Sequence, residues 1–410
     1  MKALLLFVAL FGIAGGQSDR FTYIIIQQAL RHDCVPCHRP NQPAPFSMLS
    51  YNDVKPWIKE IEKYIREGLM PPFRARTGDH YAIANDRRMS EQHREMILGW
   101  LKAGAPRGEG VEDTENPYRE GAFVYKVAHE FQLPEVNLNA DGEEEQRAFV
   151  LDNPFEEDVH VQVVDVLPGN PRVVHHVTVF ADPTRRAREW NSKEAFELPG
   201  IVPAAYLGMW EAGYGPMALH TGTFFKLPKG WDIVVHVRYL KTGKPEKDRS
   251  RIGITLADKS FASPLAHQSV ILQDPMLEIP KGAERYEKTM SWISTKDQFI
   301  ASVSPFMRRH GRKLRITIKP PNNPLRELLI IDDWDKKWQT TYHFSEPAWT
   351  EKGAIVTVQI EYDASTKNPR WPAGATANIK AGMNAEDELA VVYLHTVDGP
   401  SFRRLLESHP

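Results

Sequence analysis

Apolar positions along the chain change period twice. An uninterrupted apolar run from Ala3 to Ala14 comes first. Helical spacing follows: Trp57, Ile58, Ile61, Tyr64 and Ile65 predict an amphipathic helix over residues 52–67 that stops at Gly68. Met96, Ile97, Trp100 and Leu101 predict another, capped at Ser90 and closed at Gly104. Past residue 107 the pattern shortens. Residues 148–151, 159–166, 173–180, 233–239 and 252–256 are β-branched or aromatic runs, divided by turn residues such as Pro168-Gly169-Asn170-Pro171. After Pro280 a second set occupies residues 299–303, 314–318, 328–331, 355–362 and 389–394. The polar, aperiodic stretch between the two regimes reads as a linker. These patterns predict a multidomain chain: a small all-α domain at 20–107, a linker at 108–118, and two all-β sandwiches of jelly-roll type at 119–265 and 266–396.

Composition narrows the function classes. The 410 residues carry 51 Lys and Arg against 53 Asp and Glu, a net charge of −2 that offers no basic excess for nucleic acid. A 42% hydrophobic and 25% charged content is that of a globular protein. Lys2, the apolar run and the small pair Gly15-Gly16 read as a secretory signal over residues 1–16, so the mature chain is expected to be exported, periplasmic or extracellular. No later apolar stretch is long enough for a transmembrane span.

The chain has two cysteines, Cys34 and Cys37, which rules out a disulfide framework. With His38 they form Cys34-Val35-Pro36-Cys37-His38, the attachment sequence of a c-type haem. Two thiols reach the two porphyrin vinyl groups, and the next imidazole lies under the iron. A redox C-x-x-C pair would sit in a βαβ unit that the flanking pattern lacks, and a zinc site would need more thiolates. Met70, in the proline-fixed Leu69-Met70-Pro71-Pro72, is the preferred second axial ligand, with Met48, Met89, His80 and His93 as competitors. Residues 20–107 resemble the cytochrome c modules that bacteria fuse to larger exported enzymes. The likeness rests on residues 34–39, Ala44-Pro45-Phe46, Met70-Pro71-Pro72, Asn85-Asp86-Arg87 and residues 100–106.

Two histidine patterns stand in the β region. His175-His176 lies inside the apolar run Val173–Val179, and His236 lies inside Ile233–Tyr239. Adjacent strand residues face opposite ways, so both rings of the pair reach one metal only if the strand bends or forms an edge. Otherwise one ring is buried and hydrogen-bonded and the other exposed, and His236 is a satisfied core histidine. Together with Gly243-Lys244-Pro245-Glu246-Lys247-Asp248-Arg249-Ser250-Arg251-Ile252-Gly253, Trp338-Gln339-Thr340-Thr341-Tyr342 and residues 362–369, they make residues 120–396 resemble the copper type II, ascorbate-dependent monooxygenases.

That resemblance implies two copper ions. Its electron-transfer copper would take His175, His176 and His236. Its oxygen-activating copper takes two imidazoles and a thioether at positions that here hold Phe306, Arg308 and Leu389. A guanidinium cannot deprotonate to bind a metal. Met307 and His310, or His220 and His343, are the nearby groups that could rebuild a site, and no spacing recommends them. The expectation is therefore an oxidoreductase-like redox protein with one covalent haem c and one copper, exchanging electrons with a partner protein or small donor. The alternative is a copper monooxygenase with a second, rebuilt copper site, fed by the cytochrome.

Overall fold

The computed structural model describes residues 21–118, 120–142, 144–193, 205–258, 265–382 and 386–408; the expected signal at 1–16 lies outside them. The chain divides into two compact units. Among the described residues the first comprises 21–40, 44–72 and 87–118, and the second 41–43, 73–86 and the rest from 120 onward. The fold is mostly β-sheet with few helices.

The first unit is helical. Its helices are Tyr23–Asp33, Tyr51–Val54, Ile58–Arg66 and Glu91–Lys102, with a 3-10 turn at Lys55–Trp57. The helix expected over 52–67 is thus two pieces. Pro56 has no N–H for an α-helical bond, and the chain passes it in the tighter turn. Ser50 and Ser90 cap their helices by accepting from the Asp53 and His93 main-chain N–H groups. Tyr23, Ile26, Leu30, Val35, Met48, Ile61, Ile97 and Trp100 bury one another in a common core. The Trp100 indole N–H, which needs an acceptor there, donates to the Pro106 carbonyl at 2.9 Å.

Residues 73–86, expected in the helical domain, belong to the β-rich unit. The segment has no helical period. Ala75–Arg76 instead pairs as a strand with Ile330 and Ile331, and Phe73, Ala75 and Ile83 enter an apolar core with Leu329, Trp334 and Phe344.

The β-rich unit has two large cores, each drawing on strands from two sheets. The first gathers Val177, Val179, Val235 and Val237 with Val161, Val164, Phe225 and Ile252. The second gathers Leu314, Ile316, Val356 and Val358 with Ile300, Val303, Val392 and Leu394. An eight-stranded sheet serves both. Its strands run Tyr342–Thr350, Gln298–Phe306, Val391–Asp398, Leu265–Gln273, Thr223–Leu227, Val159–Leu167, Arg251–Leu256, His129–Gln132. The two halves join where Leu265–Gln273 pairs in parallel with Thr223–Leu227. The expected boundary at 265/266 therefore falls inside a strand that hydrogen-bonds to both halves, so the halves share a backbone ladder. Among the described residues no helix is long and apolar enough to cross a membrane.

Candidate metal sites

Cys34 and Cys37 follow the helix Tyr23–Asp33 directly. Helical hydrogen bonding runs on past it, from Cys34 N–H to the Leu30 carbonyl at 2.8 Å and from His38 N–H to the Cys34 carbonyl at 2.9 Å. Neither cysteine is in a disulfide, and both are half-buried. The His38 Nδ1 lies 3.1 Å from the Phe46 carbonyl. A carbonyl only accepts, so Nδ1 carries the proton and Nε2 keeps its lone pair. The ring is held between neighbours, with Phe46 at 4.7 Å and Phe46 in turn stacked on Trp57 at 4.4 Å. Burial pushes the His38 pKa down despite the Phe46 bond, keeping the imidazole neutral. Two thiols outside any disulfide and one oriented, neutral imidazole fit a covalent haem c.

The competitors for the second axial position separate by environment. Met48 is buried in the helical core, where its thioether is a packing group. Met89 packs at the edge of that core, and His80 falls in the β-rich unit. His93 bonds Asp33. Met70 is half-buried and outside the apolar cluster, on a loop whose main-chain N–H groups at Leu69 and Met70 both donate to the Tyr64 carbonyl.

In the β-rich unit, His175 and His176 lie on the strand Val174–Asp182, between Asp232–Leu240 and Ala205–Glu211. The pairing is irregular at one place. Arg238 opposes His176 and Tyr239 opposes Val174, so His175 is the extra residue of a β-bulge. A bulge re-aims a side chain, and the two imidazoles come to 6.0 Å between ring centres. Both are buried, and neither takes the exposed position that a flat strand would have given one of them. His236 opposes Thr178, which puts its side chain on the same sheet face as His176, Arg238 and the directly paired Glu211.

The turn before this strand is clamped by the Gly243–Gly253 segment. Asp248 accepts the Asn170 main-chain N–H at 2.9 Å, and the Ser250 hydroxyl accepts that of Gly169 at 3.3 Å. A Cβ on Gly169 would lie 2.6 Å from Arg249 backbone atoms, so only glycine fits. That word of the sequence therefore sets where the histidine strand begins.

The electrostatics favour neutral imidazoles. Both ring nitrogens of His175 and the Nδ1 of His176 are buried without a hydrogen-bond partner. Burial, then the Arg238 guanidinium, lowers the His175 pKa to about 3 and pushes that of His176 well below its usual value. Arg238 is itself neutralised by Glu144, which also accepts from Lys336 at 2.7 Å. Trp338 closes the side, its ring centre 4.9 Å from that of His175. Unpaired, neutral, buried imidazole nitrogens are costly without a ligand, so these residues fit a metal. Their ligand atoms are not drawn as close as those of His32, Asp33 and His93, the one such trio within 4.8 Å among the described residues.

The positions that the resemblance would assign to an oxygen-activating copper pack otherwise. Phe306 and Leu389 are buried in the first apolar core, and Met307 in the second. Arg308 is buried too, and its main-chain N–H donates to Glu388. Glu388 also accepts the main-chain N–H groups of His310 at 2.9 Å and Leu389 at 2.9 Å, while burial raises its pKa to about 7. The His310 Nδ1 faces the Asp363 carbonyl at 3.3 Å.

Sequence spacing missed a second histidine group. His343, Ser302, His395 and Ser269 oppose one another across four strands of the large sheet, with His267 two residues from Ser269. Paired residues share a face. His395 bonds Ser269 at 3.0 Å and Ser304 at 2.9 Å, and the chain of bonds continues through Thr341 to Tyr206. The Thr223 hydroxyl donates to the His220 carbonyl, so it must accept from His267 Nε2, which leaves His267 Nδ1 as a bare, buried acceptor. No period in the sequence aligns these residues, because they come from four strands widely spaced in the chain. Compared with protein-family models and with curated protein sequences, the chain matches neither a family nor a curated protein.

Proposed function

We propose that this chain is an exported redox protein that moves electrons between a c-type haem held by its helical unit and a copper ion held by its β-rich unit. Cys34 and Cys37 would attach the haem, with His38 and Met70 as axial ligands; His175, His176 and His236 would hold the copper. Bound there, the two groups supply one-electron chemistry, because thioether and imidazole ligation of haem iron and three neutral imidazoles on copper each suit both oxidation states. The protein side of that reading is orientation and charge control. The Phe46 carbonyl fixes the His38 tautomer. Burial first, and then Arg238 balanced by Glu144, keeps the paired imidazoles unprotonated. Resemblance to cytochrome c modules and to copper type II monooxygenases, argued from the words quoted above, supports the jelly-roll and cytochrome c assignments and an exported location.

The observation that carries the reading is the bulge at His175, with imidazole nitrogens that are buried and unpartnered. Against the monooxygenase alternative stand Phe306 and Leu389, which fill the matching positions with apolar packing. Electron paramagnetic resonance on full-length protein, haem-matured and copper-reconstituted, tests the proposal. A nitrogen-coupled copper signal that His176→Ala abolishes is expected. A copper signal indifferent to His176→Ala would overturn it.

A further inference from the structure

We propose that His32, Asp33 and His93 form a binding site for a borderline divalent cation of the zinc class, separate from the haem and copper residues assigned above. Asp33 is the last residue of the helix Tyr23–Asp33, and its carboxylate is 4% exposed. Each oxygen meets one imidazole: Oδ1 lies 2.6 Å from His32 Nδ1, and Oδ2 lies 2.8 Å from His93 Nδ1. The three ligand atoms all fall within 4.8 Å of one another, and the two rings stand edge to face with centres 5.5 Å apart.

The place is set by the backbone on both sides. His93 lies in the first turn of Glu91–Lys102, its main-chain N–H bound to the capping Ser90 hydroxyl at 3.1 Å. Asp33 sits at the carbonyl end of its helix, where the peptide dipoles favour a cation. His32 is 74% exposed, so solvent can fill the remaining coordination positions. Two imidazoles and one carboxylate with open positions suit zinc, whereas magnesium and calcium prefer oxygen throughout. Binding moves each imidazole proton from Nδ1 to Nε2, so the rings stay neutral and Nδ1 offers its lone pair to the cation. In the absence of a cation the same atoms are held by the two hydrogen bonds to Asp33.

The test uses the full-length protein and zinc chloride alone. Crystals soaked in zinc are measured at the zinc absorption edge, and zinc retained after dialysis is counted by elemental mass spectrometry for wild type, His32→Ala and Asp33→Asn. His32 is exposed, so its loss leaves the fold intact. The expected result is an anomalous peak among the three residues, one zinc fewer per chain in each variant, and zinc affinity at least about tenfold lower for His32→Ala. Zinc content unchanged in both variants, or no peak at this place, overturns the proposal. Neither outcome depends on whether haem or copper binds elsewhere.

Discussion

Glu144→Gln separates the charge balance around the paired histidines from their packing. Glu144 is nearly buried, hydrogen-bonded to the fully buried Arg238 and to Lys336 at 2.7 Å, and these partners bring its pKa from 4.5 down to about 2 against the cost of burial. A depression of that size corresponds to about 3 kcal/mol, within the range seen when one member of a buried ion pair is removed. The stabilisation is present above the unfolded value near 4.5 and is lost as pH falls through the folded value near 2. At pH 7 the glutamine variant should therefore lose about 3 kcal/mol in urea denaturation followed by tryptophan fluorescence. It also strips the counter-charge from Arg238, the cation that acts on His175 and His176. Copper affinity should fall by about tenfold or more, since an unbalanced cation opposes another at low local dielectric. Adding Arg238→Met should recover much of both losses. A variant that costs less than about 0.5 kcal/mol and binds copper as wild type does would refute this account of the site.

Three further outcomes follow from the same structure. Cys34→Ala should leave haem attached by at most one thioether, seen as a red-shifted pyridine haemochrome band; an unshifted band would contradict the assignment of Cys34 and Cys37. His267 is buried and His343 half-buried, and desolvation pushes their pKa values down to about 3 and about 4, so both rings are neutral. The unfolded chain binds their protons first, so these two should contribute about 3 kcal/mol to the loss of stability between pH 6.5 and 5, and a flat profile there would count against it. Phe306→His places an imidazole in the apolar core shared with Leu389, and urea denaturation should show a loss of about 2 to 4 kcal/mol without added copper binding.

Short-range features were the legible ones. The Ser90 cap and the strands around His175 and His236 follow from local period and capping chemistry, which act within a few residues. The break at Pro56 was legible in principle, since proline has no N–H to give, but the apolar spacing on either side runs through it. The bulge at His175 was foreseen only as a condition, because register is decided by the partner strand and not by the strand itself. The placement of 73–86 depends on burial against Leu329 and Phe344, more than two hundred residues away in the chain. The row His343, Ser302, His395, Ser269 is likewise a product of strand order, and the Arg238–Glu144–Lys336 group unites residues from three distant segments. Trp338 and Thr341, singled out within one word of the sequence, prove to touch His175 and Met209.

The central claim is that three histidines of the β-rich unit bind one copper beside one haem in the same chain. The most direct test is the copper-to-iron ratio of full-length, haem-matured, copper-reconstituted protein by elemental mass spectrometry. It is best run in a His32→Ala background, so that the helical unit's own cation site does not contribute. About one copper per iron is predicted, falling to near zero when His176→Ala is added. A ratio that His176→Ala leaves unchanged, or a protein that matures without iron, would contradict it.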